Sequence, residues 1–252
     1  MSLPRARKLT KRERRAQKRS DETYVNDLFN FSLKEIQPLT DNQKMTFESY
    51  RTGQHLLLIG TAGTGKSFLS MFLGMKDIME NKNHKKMMIV RSVVPTRDMG
   101  FLPGNNKEKS KVYEAPYYAI FNELYGRGDS YEYLKSKGLV EFITTSFVRG
   151  ITINDAVVIV DEFQNMTASE LHTIFTRIGK NCRVIFAGDI KQTDLDGRRD
   201  ISGFGDFFKV INKLEDFDVI EFDRDDIVRS DLVKSYIIAR EELESKGSIE
   251  PL

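Results

Sequence analysis

The sequence is short of several things, and each shortage removes a class of protein. Its 252 residues contain one cysteine, Cys182. No intramolecular disulfide and no cysteine-built zinc site can form, which fits a reducing compartment, and a cytoplasmic placement is expected. The three histidines, His55, His84 and His172, lack metal-ligand spacing and are expected to be structural or exposed. No apolar run approaches the roughly 18 residues of a membrane span, so no membrane partner is expected. Basic residues open the chain, but no apolar stretch follows them as in a secretory signal.

Acidic residues are nearly missing from the first twenty positions. Nine of the 39 basic residues and one of the 37 acidic ones lie there, so the remaining chain holds 30 basic and 36 acidic residues and is net −6. A body of that sign does not coat nucleic acid by bulk charge. The tail, residues 1–20, has no aromatics and almost no apolar residues, so it is expected to be disordered. Two readings stay open for it: an arm that displaces counterions from nucleic-acid phosphates, or a solubilising extension.

What remains is an ordinary globular composition, 40% hydrophobic and 30% charged, long enough for one sizeable core over residues 21–252. The pattern is weakly helical over 21–39 and ends near Pro38. Thr40 with Gln43 resembles a capping box and predicts a helix over 41–51, closed by Gly53. Apolar strands are predicted at 55–59, 87–90, 139–143, 157–160, 183–187 and 219–222. Helices are predicted at 66–80, 168–178, 203–214 and 227–243. Strands that are apolar throughout and alternate with helices indicate a parallel sheet covered on both faces, an α/β fold. Residues 95–138, rich in proline, glycine and tyrosine, read as an insertion between strands with one or two short helices.

Gly60, Thr61, Ala62, Gly63, Thr64, Gly65, Lys66 and Ser67 complete the G-x-x-x-x-G-K-[ST] pattern between a strand and a helix. Glycines let backbone N–H groups turn inward toward phosphates, and the helix that follows, with Phe68 in its first turn, presents its N-terminus to the anion. Lys66 supplies charge for the β- and γ-phosphates, and Ser67 a hydroxyl for Mg²⁺. The strand before Asp161 and Glu162 delivers two carboxylates to the same sheet edge. Asp161 is the candidate metal ligand, and Glu162 the candidate base for an attacking water. A third strand ends at Gly188-Asp189, and Gln192 beyond it suits a bond to the γ-phosphate or the lytic water. The Gln43 amide matches the N6 and N7 edge of adenine, so ATP is the expected nucleotide.

Together these segments resemble the PhoH family of P-loop ATPases, named for phosphate-starvation induction and related to the core of superfamily 1 helicases. The resemblance covers residues 38–240. It rests on 39–43, on the glycine loop, on Arg91-Ser92-Val93-Val94-Pro95 with Gly100-Phe101-Leu102-Pro103-Gly104, and on Phe147-Val148-Arg149-Gly150. It rests further on Asp161-Glu162-Phe163-Gln164-Asn165-Met166-Thr167, Thr176-Arg177-Ile178-Gly179, Gly188-Asp189 with Gln192, Asp194 and Leu195, Ser202-Gly203, and Asp226-Ile227-Val228-Arg229-Ser230. Phe163 stands where the family usually has Ala, and Ile151 where it has a second Arg. A compact, phage-like or minimal bacterial form is expected.

The resemblance implies a single RecA-like domain that hydrolyses ATP with Mg²⁺, acts on RNA or single-stranded DNA in a helicase-like manner, and forms a homo-oligomeric ring, with six subunits as the expectation. An arginine finger is implied, with Arg229 the candidate, in cis or from a neighbouring subunit, and Arg177 and Arg149 as alternatives. A slow ATP-dependent assembly switch is the rival reading, and a small-molecule kinase a more distant one. Tyr113, Tyr117, Tyr118, Phe121 and Tyr125 lie near helical spacing, either packed on the domain or stacking on bases. Lys107, Lys109 and Lys111 either contact phosphates or are solvated. Asp225 and Asp226 read as first-turn charges of the last helix.

Overall fold

A computed structural model describes residues 31–81, 83–92, 106–189 and 203–249. The chain divides into two units, Met1–Lys34 and Glu35–Leu252. Of the first, residues 31–34 are described and carry neither helix nor strand. The basic tail, the loop 100–104, Gln192, Asp194, Leu195 and Ser202 lie outside the described residues, as do the side chains of Lys107, Lys109 and Lys111.

The second unit is built on six parallel strands in the order β3-β2-β4-β5-β1-β6. In chain order the elements begin α1 (Asp41–Thr52), β1 (His55–Gly60), α2 (Lys66–Lys76), a π-helical turn (Asp77–Asn81) and β2 (Lys86–Arg91). Then come α3 (Asn106–Tyr125), α4 (Ser130–Ser136), β3 (Val140–Thr144), α5 (Thr145–Val148) and β4 (Ala156–Asp161). A 3₁₀ turn (Phe163–Asn165), α6 (Ala168–Arg177), β5 (Cys182–Gly188), α7 (Phe204–Ile211), β6 (Phe217–Phe222) and α8 (Asp231–Ser245) complete it. The expected α/β domain with a parallel sheet is therefore present.

The four inner strands, β2, β4, β5 and β1, are buried on both faces, which is why they read as continuous apolar runs. Side chains alternate across the sheet. Leu57, Ile59, Val158, Val160, Val184 and Phe186 share a core with α6 and α7 through Leu171, Ile174, Ile211 and the half-buried Phe207. On the other side α2 lies so close that a Cβ on Gly74 would meet Met87 Cε at 2.6 Å and Val157 Cγ1 at 3.1 Å. Each fully buried Leu, Ile or Phe contributes roughly 1.5–3 kcal/mol relative to exposure.

Five expectations need correction. No helix forms over 31–39; Pro38 disfavours helix before it, and the Leu39 N–H donates to Gln43 Oε1 at 2.8 Å. Because Gln43 is used this way, the Thr40 cap is half a capping box, with only Gln43 N donating to Thr40 Oγ1. The helix after the glycine loop is α-helical to Lys76 and continues as a π turn. The insertion holds a 20-residue helix, α3, rather than only short ones. The last helix begins at Asp231, not Ile227, because Ser230, with ψ 153°, takes the N-cap position; ahead of it the Val228 N–H donates to the Gly63 carbonyl at 3.1 Å.

Asp226 is likewise no first-turn charge. It is buried, and its carboxylate accepts from Asn42 Nδ2 at 2.7 Å and from the Asp223 N–H at 2.9 Å. His55 and His84 are structural: Val184 N donates to His55 Nδ1, and His84 Nδ1 lies 2.7 Å from Asp77 Oδ2 in the buried interior. His172 is exposed. Cys182 is half-buried and packs against the core. Tyr117, Phe121 and Tyr125 are buried, so these three rings pack on the domain.

Candidate nucleotide site

Parallel strands end on one edge of a sheet, and there the site is assembled. The register puts Arg91 opposite Asp161, Asp161 opposite Ala187, and Ile59 opposite Gly188. Thus the ends of β2, β4, β5 and β1 meet in one row, and the glycine loop rises from the end of β1. Gly60 must be glycine here: its φ is +123°, and a Cβ would lie 1.9 Å from the Phe222 carbonyl oxygen. Gly63 and Gly65 also have positive φ, +79° and +87°.

A cavity of about 630 Å³ opens above this row, within the range of small-ligand sites. Of the sequence-predicted residues, Gln43, Ala62, Gly63, Gly65, Lys66, Ser67, Phe68, Asp161, Glu162 and Arg229 line it. Gly60 and Thr61 line a neighbouring cavity instead. Thr64 is buried; its hydroxyl donates to the Thr61 carbonyl, and its own carbonyl accepts from Gln43 Nε2 at 3.2 Å. Gln43 therefore braces the loop as well as facing the cavity, and an amide with four bonding positions retains one N–H and one lone pair.

Lys66 Nζ donates to the Gly60 and Thr61 carbonyls, both at 2.8 Å, and to Thr64 Oγ1 at 3.2 Å. Burial lowers its pKa, against the pull of Asp189, Glu162, Asp161 and Asp226. Ser67 Oγ donates to Asp161 Oδ1 at 2.7 Å. A hydroxyl and a carboxylate oxygen in contact at a sheet edge are hard oxygen donors, the set Mg²⁺ takes. Among the described residues there is no cluster of three or more His, Cys, Asp or Glu that could hold a metal by itself. A cation here fits Ser67 and Asp161 completed by phosphate oxygens and water.

Glu162 has φ +52°, a left-handed conformation that turns its side chain away from the strand line. Burial and the neighbouring Asp161 raise its pKa; the Gln164 hydrogen bond, Arg91 and Lys66 oppose that rise. Phe163, the departure from family pattern, is buried in an aromatic group with Phe186, Phe204 and Phe207, ring centroids 5.8–6.3 Å away.

Three contributors were not assigned from sequence. Arg91 lines the cavity; burial works against its charge, but Tyr117, Asp161 and Glu162 outweigh it and hold the pKa above its ordinary value. Its place at a strand end in the motif row was the available signal. Gln164 is buried and bridges β4 to β5, donating to Glu162 Oε2 at 2.6 Å and accepting from the Asp189 N–H at 3.2 Å. Tyr117, from the insertion, donates to Asp161 Oδ2 at 2.8 Å. No sequence spacing points to that bond.

Arg229 lies against the glycine loop of its own chain: a Cβ on Gly63 would be 3.1 Å from Arg229 Cγ. The two alternatives lie elsewhere. Arg149 is exposed, and Arg177 is half-buried with its Nε lacking a hydrogen-bond partner among the described residues; neither lines the cavity. No described helix is long and apolar enough to cross a membrane.

Comparison with known proteins identifies the family. Residues 35–241 match the sequence profile described as "PhoH-like protein". The PhoH-like protein of Mycobacterium tuberculosis H37Rv is 32% identical over 230 residues, covering 90% of this chain and 64% of the relative. That of Bacillus subtilis 168 is 32% identical over 207 residues, 82% of this chain and 64% of the relative. Protein PhoH of Escherichia coli K12 is 29% identical over 242 residues, 90% and 68% of the two chains. The chain thus spans under two thirds of the mycobacterial and Bacillus relatives. Among solved structures, Candida albicans Pif1 helicase superposes with a TM-score of 0.38 at 15% identity, covering 74% of this chain and 40% of that one. The Sulfolobus solfataricus SWI2/SNF2 ATPase core in complex with dsDNA gives 0.40 at 10% identity, with 65% and 34% covered. A glycine loop, an Asp-Glu strand end and a family match over most of its length make this chain a P-loop member of the PhoH-like family.

Proposed function

We propose that this chain binds ATP and hydrolyses it with Mg²⁺, coupling turnover to RNA or single-stranded DNA. The observation that carries the reading is the Ser67–Asp161 contact at 2.7 Å, with Lys66 and Glu162 lining the same cavity. Mg²⁺, when bound, supplies charge neutralisation at the phosphate oxygens. The chain's own residues do the rest. Backbone N–H groups of Gly63 to Ser67 and the α2 N-terminus bind the phosphates. Lys66 exchanges its loop carbonyls for phosphate oxygens. Glu162 accepts the proton of the attacking water, and Gln164 holds that carboxylate in place. Arg91 and Arg229 supply positive charge as it develops on the transferred phosphoryl group. Gln192 is assigned to the γ-phosphate or the water, and Gln43 to the adenine edge.

The rival, an assembly switch with slow turnover, is favoured by one observation. Leu232, Val233 and Tyr236 are exposed at the start of α8, just beyond Arg229. An apolar helix face beside a nucleotide-contacting arginine suits a subunit contact, and a cytoplasmic ring of six is the proposed assembly. Steady-state ATP turnover with and without single-stranded RNA and DNA, beside light scattering with and without ATP, separates the two. Polymer-stimulated turnover supports the coupled hydrolase. Assembly on ATP with turnover indifferent to polymer supports the switch and rejects the coupling.

A further inference from the structure

Both carboxylate oxygens of Asp161 are engaged, by residues from different parts of the chain. Ser67 of the glycine-loop helix holds Oδ1 at 2.7 Å, and Tyr117 of the inserted helix α3 holds Oδ2 at 2.8 Å. The Tyr117 side chain is fully buried, with its ring 5.8 Å from Phe142 of β3 and 6.4 Å from Tyr131 of α4. Burial and the Asp161 charge push its hydroxyl well above the ordinary tyrosine range, so it remains a donor. The nearby Arg91 charge opposes that rise. Asp161 is thus held from two sides, by the glycine-loop helix and by a fully buried tyrosine of the insertion.

We infer that Tyr117 is a positioning residue for the metal-binding carboxylate, through which the insertion sets how Asp161 faces a divalent cation. A carboxylate bonded at one oxygen can swing about its Cβ–Cγ bond. Bonded at both, it is fixed in the plane that lets Oδ1 and the Ser67 hydroxyl face one ion. Groups that orient metal ligands in this way change metal affinity or activity by roughly 10- to 100-fold when removed. The same helix also lines the cavity with Pro116, Ala119 and Ile120, so the insertion forms both a wall and an orienting group. This inference rests on the nucleotide-site reading above.

The test is Mn²⁺ binding, followed by electron paramagnetic resonance in the presence of ADP, for the wild type, Tyr117→Phe and Phe142→Leu. The expected result is roughly 10-fold weaker Mn²⁺ binding in Tyr117→Phe, with metal-free ADP binding and melting temperature close to wild type. Phe142→Leu loosens the ring packing but spares the hydroxyl, so it should melt lower and bind Mn²⁺ as the wild type does. Equal Mn²⁺ affinity in wild type and Tyr117→Phe overturns the positioning role and leaves the nucleotide site standing. Absence of ADP-dependent Mn²⁺ binding in the wild type overturns the site reading, and this inference with it. Should Tyr117→Phe not fold, 3-fluorotyrosine at position 117 keeps the hydroxyl and gives a ¹⁹F signal. A shift on adding Mg²⁺ to the ADP-bound protein supports the inference, and an unmoved signal overturns it.

Discussion

Gln164 donates to the Glu162 carboxylate at 2.6 Å while its carbonyl accepts from the Asp189 amide at 3.2 Å. One buried amide thereby locks the acid beyond β4 to the backbone beyond β5. Glu162 sits at φ +52°, a conformation that persists only where its surroundings hold it. Gln164→Leu keeps the volume and removes both bonds. The expected outcome is a kcat lower by roughly 10- to 100-fold, part of what a general base contributes. KM for ATP should stay within about two-fold, since binding is not the affected step. Steady-state kinetics checks this, and a raised KM at unchanged kcat would count against it.

Gly60 predicts a sharp stability contrast. A Cβ there collides with the Phe222 backbone, at 1.9 Å from its carbonyl oxygen, on a residue at φ +123°. Neither side is a flexible chain end that can yield. Gly60→Ala should cost about 3 kcal/mol or more. At Gly128 a Cβ meets nothing within 4 Å, and Gly128→Ala should change stability by less than about 1 kcal/mol. Urea denaturation of both variants measures the difference.

His55 gives the chain an acid-sensitive contact. Its Nδ1 accepts from the Val184 N–H at 3.1 Å, which requires the neutral ring. Burial first, then the Arg183 charge, lower its pKa from the ordinary 6.5. With the folded value below the unfolded one, the unfolded chain takes up the proton first. Stability is therefore full above pH 6.5 and is lost as pH falls from there through the folded value. Denaturation midpoints at pH 7.5 and 5.5 should fall more in the wild type than in His55→Gln.

The sheet was legible because its inner strands are buried on both faces and bounded by turn residues. Gly60 to Ser67 and Asp161-Glu162 were legible because phosphate and metal chemistry fixes both residue type and spacing. Tyr117 was not, since its bond to Asp161 spans 44 positions and depends on how the insertion packs. Asp226 was misread because a local charge pattern before a helix resembles a first turn, whereas its partner, Asn42, comes from α1. The late start of α8 has a similar origin: the segment before it is tied to the distant glycine loop, with the Val228 N–H donating to the Gly63 carbonyl. Gln192 lies outside the described residues, so its place at the site stays a proposal.

Arg229 and Arg177 make a second kinetic contrast. Arg229 lines the cavity beside Gly63, and Arg177 does not. If Arg229 acts as the finger, Arg229→Ala should lower kcat by roughly 10³-fold, and Arg177→Ala should leave it near wild type. Mixing Arg229→Ala with Lys66→Ala subunits then assigns the finger. Recovered turnover places it in a neighbouring subunit, and none places it in the same chain.

The measurement closest to the central claim is Mg²⁺-dependent ATP hydrolysis by the full chain beside Lys66→Ala. The account predicts turnover in the wild type, loss to background in the variant, and unchanged folding by circular dichroism. Equal turnover in both, or none in a wild type that binds ATP and Mg²⁺, would contradict it.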